Sequence, residues 1–259
     1  MSLQNDVTFS TFSHAKPMKL AIDKLRAAQT NAVPHVLFCG GFHSSMHGTK
    51  GNAFKAFCQQ QGWHFTRFDY RGHGHSDGEP AQFTLNDWLE DTLAVLDDQD
   101  MSTIVVGSSM GAWLATHAAL RRPKLVSALV LLAAAPDFLQ RRVTPQLSTA
   151  DQWDLQQGQV VKLPSQYDDF YPITQALLDS GNDLSLLDSD ALAELQCPVR
   201  LIHGSADTDA PVELAIQLMQ RLPEQHNARL SLLHGADHRL SDERSLSYIY
   251  SVLTNLAHE

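Results

Sequence analysis

The chain has 259 residues, which is enough for one large α/β domain or two small domains with a sizeable core. Its formal net charge of −10, with no local cluster of basic residues, argues against nucleic-acid partners, because phosphate contacts need a basic face. An apolar content of 43% argues against disorder, and the longest apolar run, residues 128–135, is too short for a membrane span.

The cysteines and the first residues bear on the cellular compartment. Cys39, Cys58 and Cys197 are scattered and odd in number, so no disulfide framework is expected and a reducing compartment is favoured. The first six residues have neither the basic start nor the apolar core of a signal peptide. We therefore expect a cytoplasmic protein, either a monomer or a homodimer.

Apolar runs typical of strands alternate with segments of helical spacing along most of the chain. Two short antiparallel edge strands are expected first, followed by strands and helices that predict a mostly parallel sheet with helices on both faces. The predicted strands are 7–12, 20–22, 33–38, 64–70, 103–106, 128–133, 198–204 and 229–233, and the predicted helices are 52–61, 84–97, 112–120, 212–222 and 243–256.

The alternation stops between residues 137 and 196, where two helices are predicted around 144–157 and 173–178. We expect residues 138–171 to form a small lid over the strand ends of a single domain that spans residues 1–259. Its aromatic residues either line a substrate pocket or pack the lid onto the body, and both interpretations stay open. These residues are Trp153, Tyr167, Phe170 and Tyr171.

A Gly-x-Ser-x-Gly motif lies between the strand at 103–106 and the helix that follows it. Strand, tight turn and helix are the context in which such a motif presents a nucleophilic serine. Of the two adjacent serines, Ser109 has Gly107 and Gly111 two residues away on either side, whereas the corresponding neighbours of Ser108 are bulky. The spacing predicts Ser109 as the nucleophile.

A serine hydroxyl needs a base within hydrogen-bond reach and a group that orients that base. Asp207 and His238 follow the last two predicted strands and supply these groups in the chain order Ser, Asp, His. Asp209 and His234 are the competing candidates. Asp237 is expected to bond nearby backbone amides instead.

Two backbone amides are predicted to hold the oxyanion that develops during acyl transfer. The amide of Met110 follows the nucleophile at a helix N-terminus, and the amide of Phe42 follows the strand at 33–38. Gly40 and Gly41 let that loop turn inward, although they also fit an ordinary turn.

The 13 histidines raise the possibility of a metal site. His43 and His47 are four residues apart, but they lie in a predicted loop with no carboxylate or cysteine at ligand spacing. We expect neither a metal nor a cofactor. His73 is expected to hold its loop by hydrogen bonding, and Cys39 is expected to be a small core residue near the oxyanion site.

The motifs together resemble the α/β-hydrolase superfamily over nearly the whole chain. They are residues 40–42, 68–78, 107–111, 203–207 and 235–238. A closer resemblance is to the family of mitochondrial α/β-hydrolase-domain acyl-protein thioesterases, also described as acyl-glucuronide esterases, and their bacterial relatives. It rests on residues 46–50, 67–70, 106–111, 163–167 and 237–239.

The resemblance implies hydrolysis of a small-molecule acyl ester or thioester through Ser109, Asp207 and His238, with an acyl-enzyme intermediate. Two other functions stay open. One is carbon–carbon bond or lactone hydrolysis on the same fold. The other is a non-catalytic binding protein, which would normally have lost one member of the triad.

Overall fold

The computed structural model describes residues 7–12, 18–27, 33–164, 170–224 and 227–259. Two features considered above, the first six residues and Tyr167, lie outside this part of the chain. The described residues form ten strands: β1 (Val7–Phe12), β2 (Met18–Leu25), β3 (His35–Cys39), β4 (His64–Phe68), β5 (Thr103–Ser108), β6 (Val126–Leu132), β7 (Val161–Pro164), β8 (Phe170–Ile173), β9 (Val199–Gly204) and β10 (Arg229–Leu233).

Eight of these strands form one sheet in the spatial order β1-β2-β4-β3-β5-β6-β9-β10. β1 and β2 pair antiparallel, as does β2 with β4, and every other neighbouring pair in this sheet is parallel. The two predicted antiparallel strands and the mostly parallel sheet are therefore present, but only β1 lies at the edge, because β2 is paired on both sides. In such a sheet the loops after the parallel strands emerge at one edge, where sites form.

Seven helices accompany the strands in the described residues: α1 (Thr49–Gln61), α2 (Leu85–Asp97), α3 (Met110–Arg121), α4 (Thr149–Gln156), α5 (Gln175–Asp183), α6 (Val212–Arg221) and α7 (Glu243–Leu256). Local signals set their ends. Thr84 and Asp87 form a capping box that starts α2, and Gly62, at φ 68°, ends α1 in the left-handed region. None of the described helices is long and apolar enough to cross a membrane.

The core lies on both faces of the sheet because alternate residues of each buried strand point to opposite sides. In β3, Leu37 packs in a cluster with Trp88 of α2 and Trp113 of α3. Its neighbour Val36 packs in the opposite cluster, which contains residues of α1 and α7. Both faces are thus covered by helices, as the apolar runs of the sequence predicted.

The segment between β6 and β9 differs most from prediction. Instead of one helix over 144–157, it has a π turn (Leu139–Val143), a 3₁₀ turn (Thr144–Gln146) and the shorter helix α4. The side chain of Ser148 accepts a hydrogen bond from the amide of Asp151 and so starts α4 later than predicted. The hairpin of β7 and β8 was not predicted at all.

The second helix of that segment is also displaced from its predicted range. Ile173 ends β8, and the side chain of Thr174 caps α5, which then continues to Asp183. The apolar residues at 173–178 therefore belong partly to a strand and partly to a helix. A single periodicity could not represent both.

Two histidines are buried in the body with neutral hydrogen-bond partners. His35 lies between Thr103, 2.8 Å from its Nδ1, and Thr66, 2.9 Å from its Nε2. Nε2 of His117 lies 2.8 Å from the carbonyl oxygen of Leu184. Burial lowers the pKa of His35 from 6.5 to about 3 and that of His117 from 6.5 to about 4.

We predict that acid destabilises the protein through these two histidines. Below pH 6.5 the unfolded chain binds protons that the folded chain excludes, so stability is complete above this pH. It falls from pH 6.5 down to about 4 for His117 and down to about 3 for His35. Each histidine should cost about 2 kcal/mol between pH 7 and pH 5. Urea unfolding at both pH values measures the loss. His117→Gln keeps a donor towards Leu184 but does not titrate, so an undiminished pH dependence in this variant would contradict the prediction.

Candidate active site

Ser109 occupies the turn between β5, which ends at Ser108, and α3, which begins at Met110. Its backbone lies at φ 56° and ψ −117°, a conformation that costs a non-glycine residue about 1–3 kcal/mol. The amide of Ser109 donates to the carbonyl oxygen of Leu132 at 2.9 Å, which ties the turn to the end of β6. Strain held by surrounding structure in this way is typical of functional sites.

The glycines on either side of Ser109 are required by the close approach of strand and helix. A Cβ atom on Gly107 would lie 2.4 Å from the carbonyl oxygen of Gly111, and one on Gly111 would lie 2.2 Å from that of Cys39. Real Cβ atoms do not approach so closely. The steric reasoning that favoured Ser109 over Ser108 therefore matches the geometry, and Ser108 is a buried strand residue, 4% exposed.

Asp207 and His238 follow the neighbouring parallel strands β9 and β10, so their loops emerge side by side. Nδ1 of His238 lies 2.8 Å from Oδ2 of Asp207. The other carboxylate oxygen accepts the amides of Asp209 at 3.0 Å and Ala210 at 2.9 Å. The Asp207 side chain is fully buried, whereas His238 remains 15% exposed towards the cavity described below.

These hydrogen bonds keep Asp207 ionised. Burial by itself would raise the pKa of Asp207, but hydrogen bonds from His203 and His238 hold this pKa well below its ordinary value. A carboxylate facing Nδ1 of His238 fixes the proton on that nitrogen and leaves Nε2 able to accept one. The pair has the arrangement of a base and its orienting acid.

The competing candidates, Asp209 and His234, make other contacts than the Asp207–His238 pair. The amide of Asp209 donates to the carboxylate of Asp207, and it is Asp207 that accepts the hydrogen bond from Nδ1 of His238. His234 lines a separate surface depression beside Tyr248. Asp237 accepts the amides of Arg239 at 3.0 Å and Leu240 at 3.2 Å, which is the turn-forming contribution expected from the sequence.

Two backbone segments flank Ser109 where an oxyanion would develop. Met110 begins α3, so its amide is among the first-turn donors that have no acceptor within the helix. On the other side, a Cβ atom on Gly41 would lie 3.4 Å from Cβ of Ser109, so the loop that contains Phe42 runs directly against the serine. The ring of Phe42 stacks on Tyr171 at 5.3 Å and so anchors this loop to β8.

Ser109 and His238 line one cavity of about 540 Å³. Part of its wall comes from the segment after β6, including its π turn and its hairpin. These residues are Phe138, Arg142, Val143, Gln146, Leu163, Pro164 and Tyr171. Of the aromatic residues noted in the sequence, Tyr171 lines the cavity, whereas Trp153 is 63% exposed on α4 and is not in its wall.

The histidines considered for a metal site, His43 and His47, have different surroundings. His43 lines the cavity, and Nδ1 of His47 lies 3.2 Å from a guanidinium nitrogen of Arg67. In the part of the chain that is described, no group of three or more His, Cys, Asp or Glu residues is placed to hold a metal ion. Nδ1 of His73 lies 3.2 Å from the carbonyl oxygen of Arg71, which matches the predicted loop contact.

Sequence reasoning included Lys50 only in the motif at residues 46–50 and did not predict that it links α1 to the loop that contains His238. Its ammonium group donates to the carbonyl oxygen of Arg239, the residue after His238. Burial is the main cause that lowers the pKa of Lys50 to about 8. The contact joins residues 189 positions apart in the chain, and no local pattern encodes such a distance.

Asp137 is a second residue whose contribution was not predicted. It lies at φ 54°, buried just after β6, and its carboxylate accepts the amides of Leu186 at 2.8 Å and Leu187 at 2.9 Å and the hydroxyl of Ser185 at 2.9 Å. These bonds bring together the two ends of the segment that contains α4 and the hairpin. The wall of the cavity is thereby attached to the sheet.

One family profile, described as alpha/beta hydrolase fold, matches residues 34–244. The chain belongs to the α/β-hydrolase fold family. The fold predicted from the sequence is confirmed. Among solved structures, this α/β hydrolase is similar to a hydrolase from Agrobacterium vitis, with a TM-score of 0.88 and 29% identity over 97% of this chain and 99% of the other.

The closer resemblance, to mitochondrial α/β-hydrolase-domain acyl-protein thioesterases, is confirmed as well. The α/β hydrolase is 33% identical to the bovine palmitoyl-protein thioesterase ABHD10 over 226 residues, which cover 86% of this chain and 72% of the relative. Mouse α/β-hydrolase domain-containing protein 10 has a TM-score of 0.84 at 32% identity, over 96% of this chain and 98% of the other. A pimeloyl-[acyl-carrier protein] methyl ester esterase of Vibrio campbellii is 29% identical, covering 60% of this chain and 70% of the relative. These relatives support a hydrolase of the esterase or thioesterase type.

The cytoplasmic location predicted from the sequence is wrong by this comparison. The palmitoyl-protein thioesterases of cattle, mouse and human that the chain resembles are all named mitochondrial. The prediction rested on three unpaired cysteines and on first residues unlike a signal peptide, and unpaired cysteines are compatible with any reducing compartment. Cysteine count therefore could not distinguish one such compartment from another.

We predict that Asp207→Asn lowers kcat by about 10³–10⁴-fold, because the amide would stabilise the wrong tautomer of His238. Hydrolysis of a p-nitrophenyl ester measures the loss. Asp209→Asn, in the same loop, is the matched control and should retain most of the activity. If Asp209→Asn lost the larger share, the assignment of the orienting acid would be refuted.

Proposed function

We propose that this α/β hydrolase is a serine hydrolase that cleaves carboxylic ester or thioester bonds through a triad of Ser109, His238 and Asp207. The observation that carries the proposal is a single cavity that contains the strained Ser109 together with His238, whose Nδ1 is bonded to Asp207. The names of the relatives, a thioesterase and an esterase, support the same class of reaction.

In the first half-reaction, Oγ of Ser109 attacks the carbonyl carbon of the substrate while Nε2 of His238 takes the hydroxyl proton. The amides of Phe42 and Met110 donate to the resulting oxyanion. When the tetrahedral intermediate collapses, the bond to the alcohol oxygen or thiol sulfur breaks, and His238 protonates that leaving group. The acyl group remains on Ser109 as an ester.

In the second half-reaction, a water molecule gives a proton to His238 and attacks the acyl-enzyme. Collapse of the second tetrahedral intermediate releases the carboxylic acid and returns the proton to Oγ of Ser109. Asp207 stabilises the imidazolium form of His238 in both halves without taking its proton. All of these residues belong to one chain, so the mechanism operates equally in a monomer or a homodimer.

We further propose that residues 138–171 act as a lid of the single domain and that their apolar side chains accommodate the acyl chain. Phe138, Val143 and Tyr171 lie in the cavity wall beside Phe42, and Phe42 stacks on Tyr171. An apolar wall favours the hydrocarbon part of a substrate over water. The relatives named for palmitoyl and pimeloyl groups fit an acyl substrate of this kind.

The nucleophile is tested by covalent labelling. A fluorophosphonate probe should label the wild-type protein and Ser108→Ala but not Ser109→Ala, because only the serine that His238 activates reacts readily with such a probe. Ser108→Ala is the matched control, since the two serines are adjacent and of equal size. Labelling of Ser109→Ala, or failure of the wild type to label, would refute the proposed mechanism.

The lid is tested with p-nitrophenyl esters and acyl thioesters of graded chain length. Tyr171→Ala removes the ring that stacks on Phe42, and it should lower kcat/KM for long acyl chains by about tenfold. Acetyl substrates should lose much less, because they reach less of the apolar wall. Trp153→Ala, which alters an exposed ring of α4, is the matched control. Equal losses for short and long chains would contradict this assignment of the acyl site.

A further inference from the structure

His203 is a buried histidine next to the proposed triad for which the mechanism above has no use. It is the fifth residue of β9, and its side chain is fully buried. Its Nε2 lies 3.1 Å from Oδ2 of Asp207 and 2.9 Å from the carbonyl oxygen of Ala210. Within the described part of the chain, its Nδ1 is buried and has no hydrogen-bond partner.

These contacts determine which nitrogen of His203 carries the proton. Both neighbours of Nε2, a carboxylate and a carbonyl oxygen, can only accept hydrogen bonds. The proton therefore lies on Nε2 and is shared between Asp207 and Ala210. The lone pair of Nδ1 meets no donor from the residues that the structure describes.

A buried nitrogen without a partner destabilises the folded state. Leucine or methionine at position 203 would avoid that cost. An imidazole there indicates that its other nitrogen supplies something that an apolar side chain cannot supply. That nitrogen is Nε2. Among the described residues it contacts only the carboxylate of Asp207 and the carbonyl oxygen of Ala210 in the same loop.

We propose that His203 is a positioning residue, whose Nε2–H group holds Oδ2 of Asp207 in line with His238 and disperses part of the carboxylate charge that His238 experiences. This inference rests on the proposed serine-hydrolase mechanism. It deepens that mechanism by giving a role to His203, the second imidazole that contacts Asp207.

The hydrogen bonds of Asp207 show why one further donor matters. Oδ1 is fixed by two backbone amides, and Oδ2 is shared by the imidazoles of His203 and His238. Four donors define both the plane of the carboxylate and the direction of its charge. Without His203, Oδ2 would interact with His238 alone and would hold the protonated imidazole more tightly.

The expected consequence is a shift in the pH dependence of catalysis. A more tightly held imidazolium of His238 loses its proton at higher pH, so the acid limb of kcat/KM should move upward. The other charged or titratable groups around His238 are unchanged by substitution at position 203. They are Asp207 and Asp209 after β9, Lys50 on α1, His43 after β3, Arg142 on the π turn, and Asp237 and Arg239 in its own loop.

Two substitutions separate positioning from packing. His203→Met has similar bulk without a donor, and His203→Gln places an amide nitrogen close to the position of Nε2. His203→Met should lower kcat by about tenfold, as expected for the loss of one charge-assisted hydrogen bond, with KM within about twofold of wild type. Its acid limb should move up by about half a pH unit or more. His203→Gln should lie closer to wild type in both respects.

Rates are normalised to active sites counted with the fluorophosphonate probe. The inference is overturned if His203→Met keeps the wild-type acid limb, or if His203→Gln loses as much kcat as His203→Met. Those results, obtained with a wild type that the probe labels at Ser109, would leave the proposed function intact. A wild type that is not labelled would refute the proposed function itself.

A spectroscopic measurement covers the case in which His203→Met does not fold. The proton shared by His238 and Asp207 gives a downfield NMR resonance that reports the strength of this hydrogen bond. In His203→Asn the shorter amide cannot span both Asp207 and Ala210, so the resonance should shift relative to wild type, whereas in His203→Gln it should move less. An unshifted resonance in a folded His203→Asn variant would overturn the inference.

Discussion

The rest of the site depends on one steric constraint, the close approach of β5, α3 and the end of β3 around Ser109. Gly107 and Gly111 permit backbone contacts that any side chain would prevent. The strained turn that results presents Ser109 at the edge of the sheet where the loops after β3, β9 and β10 also emerge. Parallel strands thus bring together groups that are nearly two hundred residues apart in sequence.

The same edge concentrates polar groups that would be costly if they were left unpaired. The side chain of Asp207 is fully buried, yet two amides and two imidazoles satisfy its oxygens. Deeper in the body, the buried pair of Asp23 and Arg67 follows the same principle, and Arg67 also donates to the carbonyl oxygen of Met46 at 2.9 Å. The desolvation cost of a buried ion pair of this kind is offset only when further hydrogen bonds satisfy both partners. The loop that leads into α1, and hence Lys50, is positioned by such a network.

Features with a local cause were predictable from the sequence, and features with a distant cause were not. The alternating strands and helices followed from periodicity, and the choice of Ser109 followed from the size of its neighbours two residues away. Asp207 and His238 were selected by chain order and loop position, and the structure brings them within 2.8 Å. By contrast, Lys50 and His203 act through contacts with backbone or carboxylate oxygens that only the folded chain brings near. The hairpin of β7 and β8 and the late start of α4 were missed because competing caps and turns override a weak apolar pattern.

The carboxylate of Asp137 joins the two ends of the segment that supplies part of the cavity wall. Because it binds Ser185, Leu186 and Leu187, the two ends of this segment meet at Asp137, and everything between forms a closed excursion. Length and composition within such an excursion can change without moving the strands that carry Ser109 and His238, since loop closure depends only weakly on length. The segment can therefore be exchanged as a unit between related hydrolases. Recombination between related hydrolases with junctions at Asp137 and Leu187 would transfer this part of the cavity wall and leave Ser109, Asp207 and His238 unaltered.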